Sequence, residues 1–173
     1  MSPVLKPIIT RAQIQVRLQE LAAQINRDYA GQPLILIGVL KGVFIFLADL
    51  IRLLDMPVRV DFVRLRSYGS SATSSGKVEI TKDIELDITS QHVLIVEDIV
   101  DSGLTLQYLL DHLRAKQPQS LKICCLTDKR ERRAHHVPLD YVGFVVPKGF
   151  LVGYGLDYAE DYRQFADICE LKV

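Results

Sequence analysis

The stretch "HVLIVEDIVDSGLTL", residues 92–106, decides the fold and points to the chemistry. It opens as an apolar run without alternation, the pattern of a strand buried on both faces of a parallel sheet. It then presents two adjacent acids, Glu97 and Asp98, and a third acid, Asp101. It closes on "DSGLT", residues 101–105, a small-residue turn that leads into a helix marked by Leu106, Leu109, Leu110 and Leu113. Backbone N–H groups at a helix start are unpaired and sit at the positive end of the helix dipole, so such a turn is a cradle for phosphate. Gly103 permits close approach or a positive φ, and Ser102 and Thr105 add hydroxyls. The GxxxxGK[ST] pattern of a P-loop is absent. Adjacent carboxylates at the end of a buried strand repel and are costly to desolvate unless something cationic or hydrogen-bonding meets them. A divalent metal or the vicinal hydroxyls of a sugar would do so, and Mg²⁺ favours carboxylates together with substrate phosphates and water. Asp101 stands beside the anion cradle without being needed to hold it, as a general base or a stabiliser of developing positive charge would.

Outward from this stretch, the chain alternates strand and helix signals. Thr10 is a helix N-cap, followed by Ile14, Leu18, Leu21, Ile25 and Tyr29 at helical spacing, with Gly31 ending the pattern. "LILIGVL" (34–40) is a second doubly buried strand, "VFIFLADLIRLLD" (43–55) a buried helix, and "VRVDFVRLRSY" (58–68) a strand. "GSSATSSGK" (69–77) reads as a mobile loop, and "KVEITKDIELDI" (77–88) as a strand or hairpin. "LKICCLTDK" (121–129) and "YVGFVVP" (141–147) are further strands, and the tail holds turns, a short helix and a last strand. The expected class is α/β with a mostly parallel central sheet flanked by helices. In such sheets ligands bind beyond the carboxyl ends of the strands, where the acids, the Ser-Gly turn, Lys41-Gly42 and Lys129 all fall.

Bulk properties narrow the classes. The 173 residues amount to about one domain. With 49% apolar and 24% charged residues the composition is that of an ordinary globular protein. The 21 basic and 21 acidic residues cancel, which disfavours nucleic acid as the main partner. Three cysteines, two of them adjacent, give neither a disulfide framework nor metal-ligand spacing, so reduced thiols in a cytoplasmic protein are expected. The N-terminus lacks the apolar core of a signal peptide, and no apolar run is long enough to span a bilayer.

"VEDIVDSGLTL" resembles the phosphoribosyl pyrophosphate motif of the type I phosphoribosyltransferases at every defining position. "GVLKGVFIF", "RLRSYGSS", "LTDKR" and "VGFVVPKGFLVGYGLDYAEDYR" narrow the resemblance to the hypoxanthine-guanine phosphoribosyltransferases, over roughly residues 5 to 170. The resemblance implies a core sheet with a small hood built from both termini, all in one domain, 1–173, with a mobile lid at about 68–78 entered through Ser67 and Tyr68. It implies transfer of the phosphoribosyl group from phosphoribosyl pyrophosphate to a 6-oxopurine, with Mg²⁺ as cofactor and a homodimer or homotetramer as the assembly. By position, Glu97 and Asp98 correspond to the acids that contact the ribose hydroxyls and organise the metal, and Asp101 to the catalytic aspartate facing purine N7. Ser102, Gly103, Leu104 and Thr105 match the 5′-phosphate loop; Leu104 departs from the basic residue often found there. Lys41 and Gly42 match the pyrophosphate loop, with a cis peptide before the lysine, and Arg163 a pyrophosphate-binding arginine. Lys129 matches the donor to the purine 6-oxo group, Phe150 the stacking aromatic, Leu151 a backbone contact, and Asp157 a metal-linked aspartate in the purine-binding segment. Two other readings compete. A signalling receiver domain shares the acidic-pair strand but would open on it and leaves the phosphate turn unexplained. A regulatory RNA-binding protein built on the same fold is opposed by the neutral charge and the complete catalytic set.

Overall fold

In the computed structural model, residues 4–68 and 77–172 are described. The elements in chain order are β1 (Val4–Ile9), α1 (Arg11–Asp28), β2 (Leu34–Leu40), α2 (Phe44–Ile51), β3 (Val58–Tyr68), β4 (Lys77–Lys82), β5 (His92–Val100), α3 (Leu104–Arg114), β6 (Ser120–Lys129), β7 (Tyr141–Val146), β8 (Leu151–Val152) and β9 (Ile168–Lys172). Six strands form one sheet in the order β4-β3-β2-β5-β6-β7. Its β3-β2-β5-β6-β7 core is parallel, and β4 pairs antiparallel with β3 at one edge. The expected α/β class is the one observed.

The unbroken apolar runs of β2 and β5 follow from cores on both faces. Leu34, Leu36, Leu94 and Val96 pack with Leu18, Leu21 and Ile25 of α1 and Phe46 and Leu50 of α2. The intervening Ile35, Ile37, Val93 and Ile95 pack with Leu106, Leu109, Leu110 and Leu113 of α3. Neither face meets water, so period-2 alternation never develops. Helix α1 starts where Thr10 and Gln13 cap each other: Thr10 Oγ1 accepts from the Gln13 N–H at 3.3 Å, and Gln13 Oε1 accepts from the Thr10 N–H at 2.8 Å.

The N-terminus forms a strand, β1, which pairs with β9 and not with the central sheet, so that β1-β9-β8 make a small second sheet from the two ends of the chain, as the resemblance implied. Two expectations need correction. The tail contains no helix among its described residues: Ala159, Glu160 and Tyr162 have φ of 51°, 71° and 77°, which excludes a continuous α-helix there. Helix α2 is shorter than the apolar pattern, ending at Ile51 instead of Asp55. Most of the expected lid, residues 69–76, lies outside the described residues.

Candidate active site

Strand β5 carries Glu97 and Asp98 inside its span, not at its end. Its parallel ladder with β6 continues through Ile99–Thr127 to Val100–Asp128. Asp98 is buried and its Oδ1 accepts the Ile99 N–H at 2.8 Å. Burial and the neighbouring Asp98 charge push the Glu97 carboxyl well above its usual range. Burial also raises Asp98, although its hydrogen bonds and the more distant Arg163 pull the other way. Two carboxylates are thus held where neither has a paired cation among the described residues, an arrangement that favours an added cation or donor.

At the end of β5 the chain turns through Asp101-Ser102-Gly103 into α3. Gly103 has φ of 84°, and a Cβ there would stand 2.6 Å from the His135 carbonyl oxygen, so the turn requires glycine on two counts. Ser102 Oγ accepts the Leu104 N–H at 3.4 Å. Thr105 lies in the first turn of α3, and the α3 N-terminus faces a cavity of about 260 Å³ lined also by Ser67, Ser102 and Gly103. Leu104 places no cation there. The backbone of Tyr68 pairs with that of Lys77 at the base of the β3–β4 connection.

Next to it is a cavity of about 410 Å³ that shares Glu97, Asp98 and Asp101 as its wall. It also gathers Lys41, Gly42, Lys129, Phe150, Leu151, Asp157 and Arg163, so the sequence-selected residues converge. Lys129, the last residue of β6, is only 7% exposed, and its Nζ is 3.2 Å from Asp101 Oδ2. The other Asp101 oxygen, Oδ1, is buried with no hydrogen-bond partner among the described residues. Phe150 is 48% exposed and meets Tyr158 edge-on at 5.4 Å, so it is not a core residue.

The Leu40–Lys41 peptide is cis, as the resemblance implied. Gly42 packs against Asp98 and the hood-side loop at once: a Cβ on it would sit 1.7 Å from Asp98 Oδ2, and one on Gly155 would sit 2.0 Å from the Gly42 carbonyl oxygen. Gly155 was invisible to sequence reasoning because the contact spans more than a hundred residues of chain. So was Glu160. Its Oε2 lies 2.9 Å from Lys41 Nζ and 3.4 Å from Arg163 Nη2, and these two cations lower its carboxyl below the usual range. Lys41 and Arg163 therefore meet on a single anionic group. Arg163 also donates to the Gly155 carbonyl at 2.7 Å and pairs with Asp157 Oδ1 at 3.0 Å. Asp157 Oδ2 accepts the Glu160 N–H at 2.9 Å. No three acids gather as a metal cage among the described residues, and Asp157 is engaged by Arg163 instead.

A larger cavity of about 660 Å³ lies between α1, α2 and residues 164–166. It has no adjacent acid pair and no helix N-terminus with a glycine turn, both of which the paired cavities above the sheet have, so those are the candidate site.

The Phosphoribosyl transferase domain family profile matches residues 9–159. A hypoxanthine-guanine phosphoribosyltransferase of Mycobacterium avium is 48% identical over 93% of this chain and 82% of its own. The chain belongs to the hypoxanthine-guanine phosphoribosyltransferase family. Among solved structures, a hypoxanthine-guanine phosphoribosyltransferase from Bacillus anthracis superposes with a TM-score of 0.91 at 44% identity, covering 99% of this chain and all of that one. The hypoxanthine phosphoribosyltransferase of Trypanosoma cruzi, solved with its product IMP, gives 0.89 at 45% identity over 96% and 94% of the two chains. Neither the receiver-domain nor the RNA-regulator reading finds support in these comparisons. In this chain's sheet the acidic strand β5 is central, between β2 and β6, and not the first strand of the chain.

Proposed function

We propose that this chain transfers the 5-phosphoribosyl group from phosphoribosyl pyrophosphate to hypoxanthine or guanine, giving IMP or GMP and pyrophosphate, a purine-salvage reaction. One observation carries the reading: a buried lysine and a half-satisfied aspartate stand 3.2 Å apart at the wall of the cavity. Lys129 offers only donors, which suits a 6-oxo oxygen and leaves the exocyclic amine of adenine unsatisfied. Asp101 Oδ1 offers an acceptor for a proton on the adjacent N7.

In this reading the α3 N-terminus and the hydroxyls of Ser102 and Thr105 hold the 5′-phosphate, with Gly103 and Leu104 contributing backbone N–H groups. Glu97 and Asp98 accept the ribose hydroxyls. The raised carboxyls of that pair fit Mg²⁺, which takes one or two carboxylates and completes its shell with phosphate oxygens and water. Asp157 would join only indirectly, since Arg163 holds one of its oxygens. A magnesium ion bound there would supply positive charge to the leaving pyrophosphate. Lys41, Gly42 and Arg163 bind that pyrophosphate through charge and backbone donors. The bond from C1′ to the pyrophosphate oxygen breaks through an oxocarbenium-like centre while N9 of the base closes on C1′. Asp101 takes the N7 proton in the same event. Phe150 stacks on the base, Leu151 meets it through its backbone, and Ser67 and Tyr68 begin the lid that keeps water from the cation.

Free, buried Cys124, Cys125 and Cys169 suit a reducing compartment, and we place the activity in the cytoplasm. No described helix is long and apolar enough to cross a membrane. A homodimer or homotetramer is the assembly we expect, with no nucleic-acid partner. The deciding experiment is a spectrophotometric assay with phosphoribosyl pyrophosphate, Mg²⁺ and each base in turn. Turnover with hypoxanthine or guanine and none with adenine is expected; no turnover with either 6-oxopurine would overturn the reading.

A further inference from the structure

We infer that Arg133 is a positioning residue that holds Asp101 and Lys129 in mutual register, because its guanidinium bridges the strand ends carrying them just where the sheet ceases to do so. The inference rests on the proposed roles of Asp101 and Lys129. The β5–β6 ladder stops at the Val100–Asp128 pair. Asp101 and Lys129, whose side chains meet at 3.2 Å, lie immediately beyond it, so no ladder bond between β5 and β6 fixes one relative to the other. Arg133 supplies that link. Its Nε donates to the Asp101 carbonyl at 2.9 Å, and its Nη2 donates to the carbonyls of Val100 at 3.0 Å and Lys129 at 3.4 Å. The same Nη2 pairs with the buried carboxylate of Asp128. Three main-chain carbonyls from two strand ends thus converge on one rigid planar fork, a geometry lysine cannot reproduce.

The segment continues as a strap. The N–H groups of Ala134 and His135 both donate to the Ser102 carbonyl at 3.0 Å, and the His135 carbonyl closes over Gly103. One short stretch therefore registers the acid, the base-reading lysine and the phosphate turn. The sequence offers no signal for this, because "KRERRAHH" reads as a solvated basic run.

The test is a double-mutant cycle on kcat using Arg133→Gln, Asp101→Asn and the pair, with Tm measured for each. Asp128 keeps Arg130 as a partner at 3.0 Å, so the single variant is expected to fold. Arg133→Gln should lower kcat by about 10²-fold, the scale of a small misplacement of catalytic groups. In the Asp101→Asn background the same change should cost less than about threefold, because the part of kcat that depends on a well-placed Asp101 is already lost and only Lys129 is left to position. Equal fold-losses in both backgrounds, or wild-type turnover in Arg133→Gln, would overturn the inference. Should Arg133→Gln fail to fold, Arg133→Lys decides: it keeps the charge opposite Asp128 but not the fork, and should fold with a similar kcat loss. Wild-type kcat in that variant, or its failure to fold as well, also overturns the positioning role. Wild-type turnover with hypoxanthine is the separate check on the underlying reaction.

Discussion

Asp101 has one oxygen beside Lys129 and the other without a partner among the described residues, and in the proposed reading this asymmetry divides the work between two residues. Asp101→Asn keeps the size of the side chain and removes the charge that would take a proton. Ligand affinity should survive while kcat falls by about 10²-fold or more, the usual worth of a positioned base. Unchanged turnover would remove Asp101 from the chemistry. Lys129→Ala acts at the other contact. It should weaken hypoxanthine binding by about 1–3 kcal/mol, the cost of leaving a polar partner unpaired, with phosphoribosyl pyrophosphate affinity nearly unchanged. Titration calorimetry with each ligand separates the two; an equal loss for both would mean that Lys129 supports the pocket as a whole.

At the scale of elements, β5 in the proposed reading trades stability for function. Its apolar half is locked between two cores, but its far half holds Glu97 and Asp98 side by side with raised carboxyls. Glu97→Gln removes one of two repelling charges. The ligand-free protein should then melt higher, by about 2–4 °C for each kcal/mol relieved in a chain of this size, while activity drops. Thermal melts followed by circular dichroism, beside the activity assay, check this; a lower Tm would show that the pair is already well satisfied. Helix α3 faces the candidate site with its first turn, and its leucine face anchors that turn to the sheet.

Across the whole molecule, one contribution to acid stability lies away from the site. Asp61 on β3 is buried, yet its carboxylate accepts the N–H groups of Phe62, Glu85 and Leu86 and lies 3.7 Å from Lys82. Burial raises its pKa, but the three backbone donors and Lys82 outweigh that and hold it below its ordinary value of 3.8. Between the lowered folded value and 3.8 the unfolded chain binds more protons than the folded one, so stability falls as pH falls through that window. Above 3.8 the contribution is fully present. Tm should therefore be flat on this account from neutral pH to about 4 and drop below it. Asp61→Asn should lower Tm at neutral pH and flatten the acid limb; an unchanged acid limb would assign acid unfolding to other carboxylates.

The central sheet, the acid pair and the glycine turn before α3 were legible in the sequence because they are local: two-sided burial writes an unbroken apolar run, and Asp-Ser-Gly-x-Thr writes a turn. Lys41 and Lys129 were placed at strand ends by the residue pattern, whereas Phe150 and Arg163, and the roles expected of all four, came only from family resemblance, which supplies long-range partners that residue patterns cannot. The hood strand β1, the irregular tail, the Gly42–Gly155 contact, Glu160 and the Arg133 strap were decided only by the tertiary structure. Each depends on which distant segment arrives alongside, and a chain of L-residues carries no local mark of a neighbour a hundred positions away.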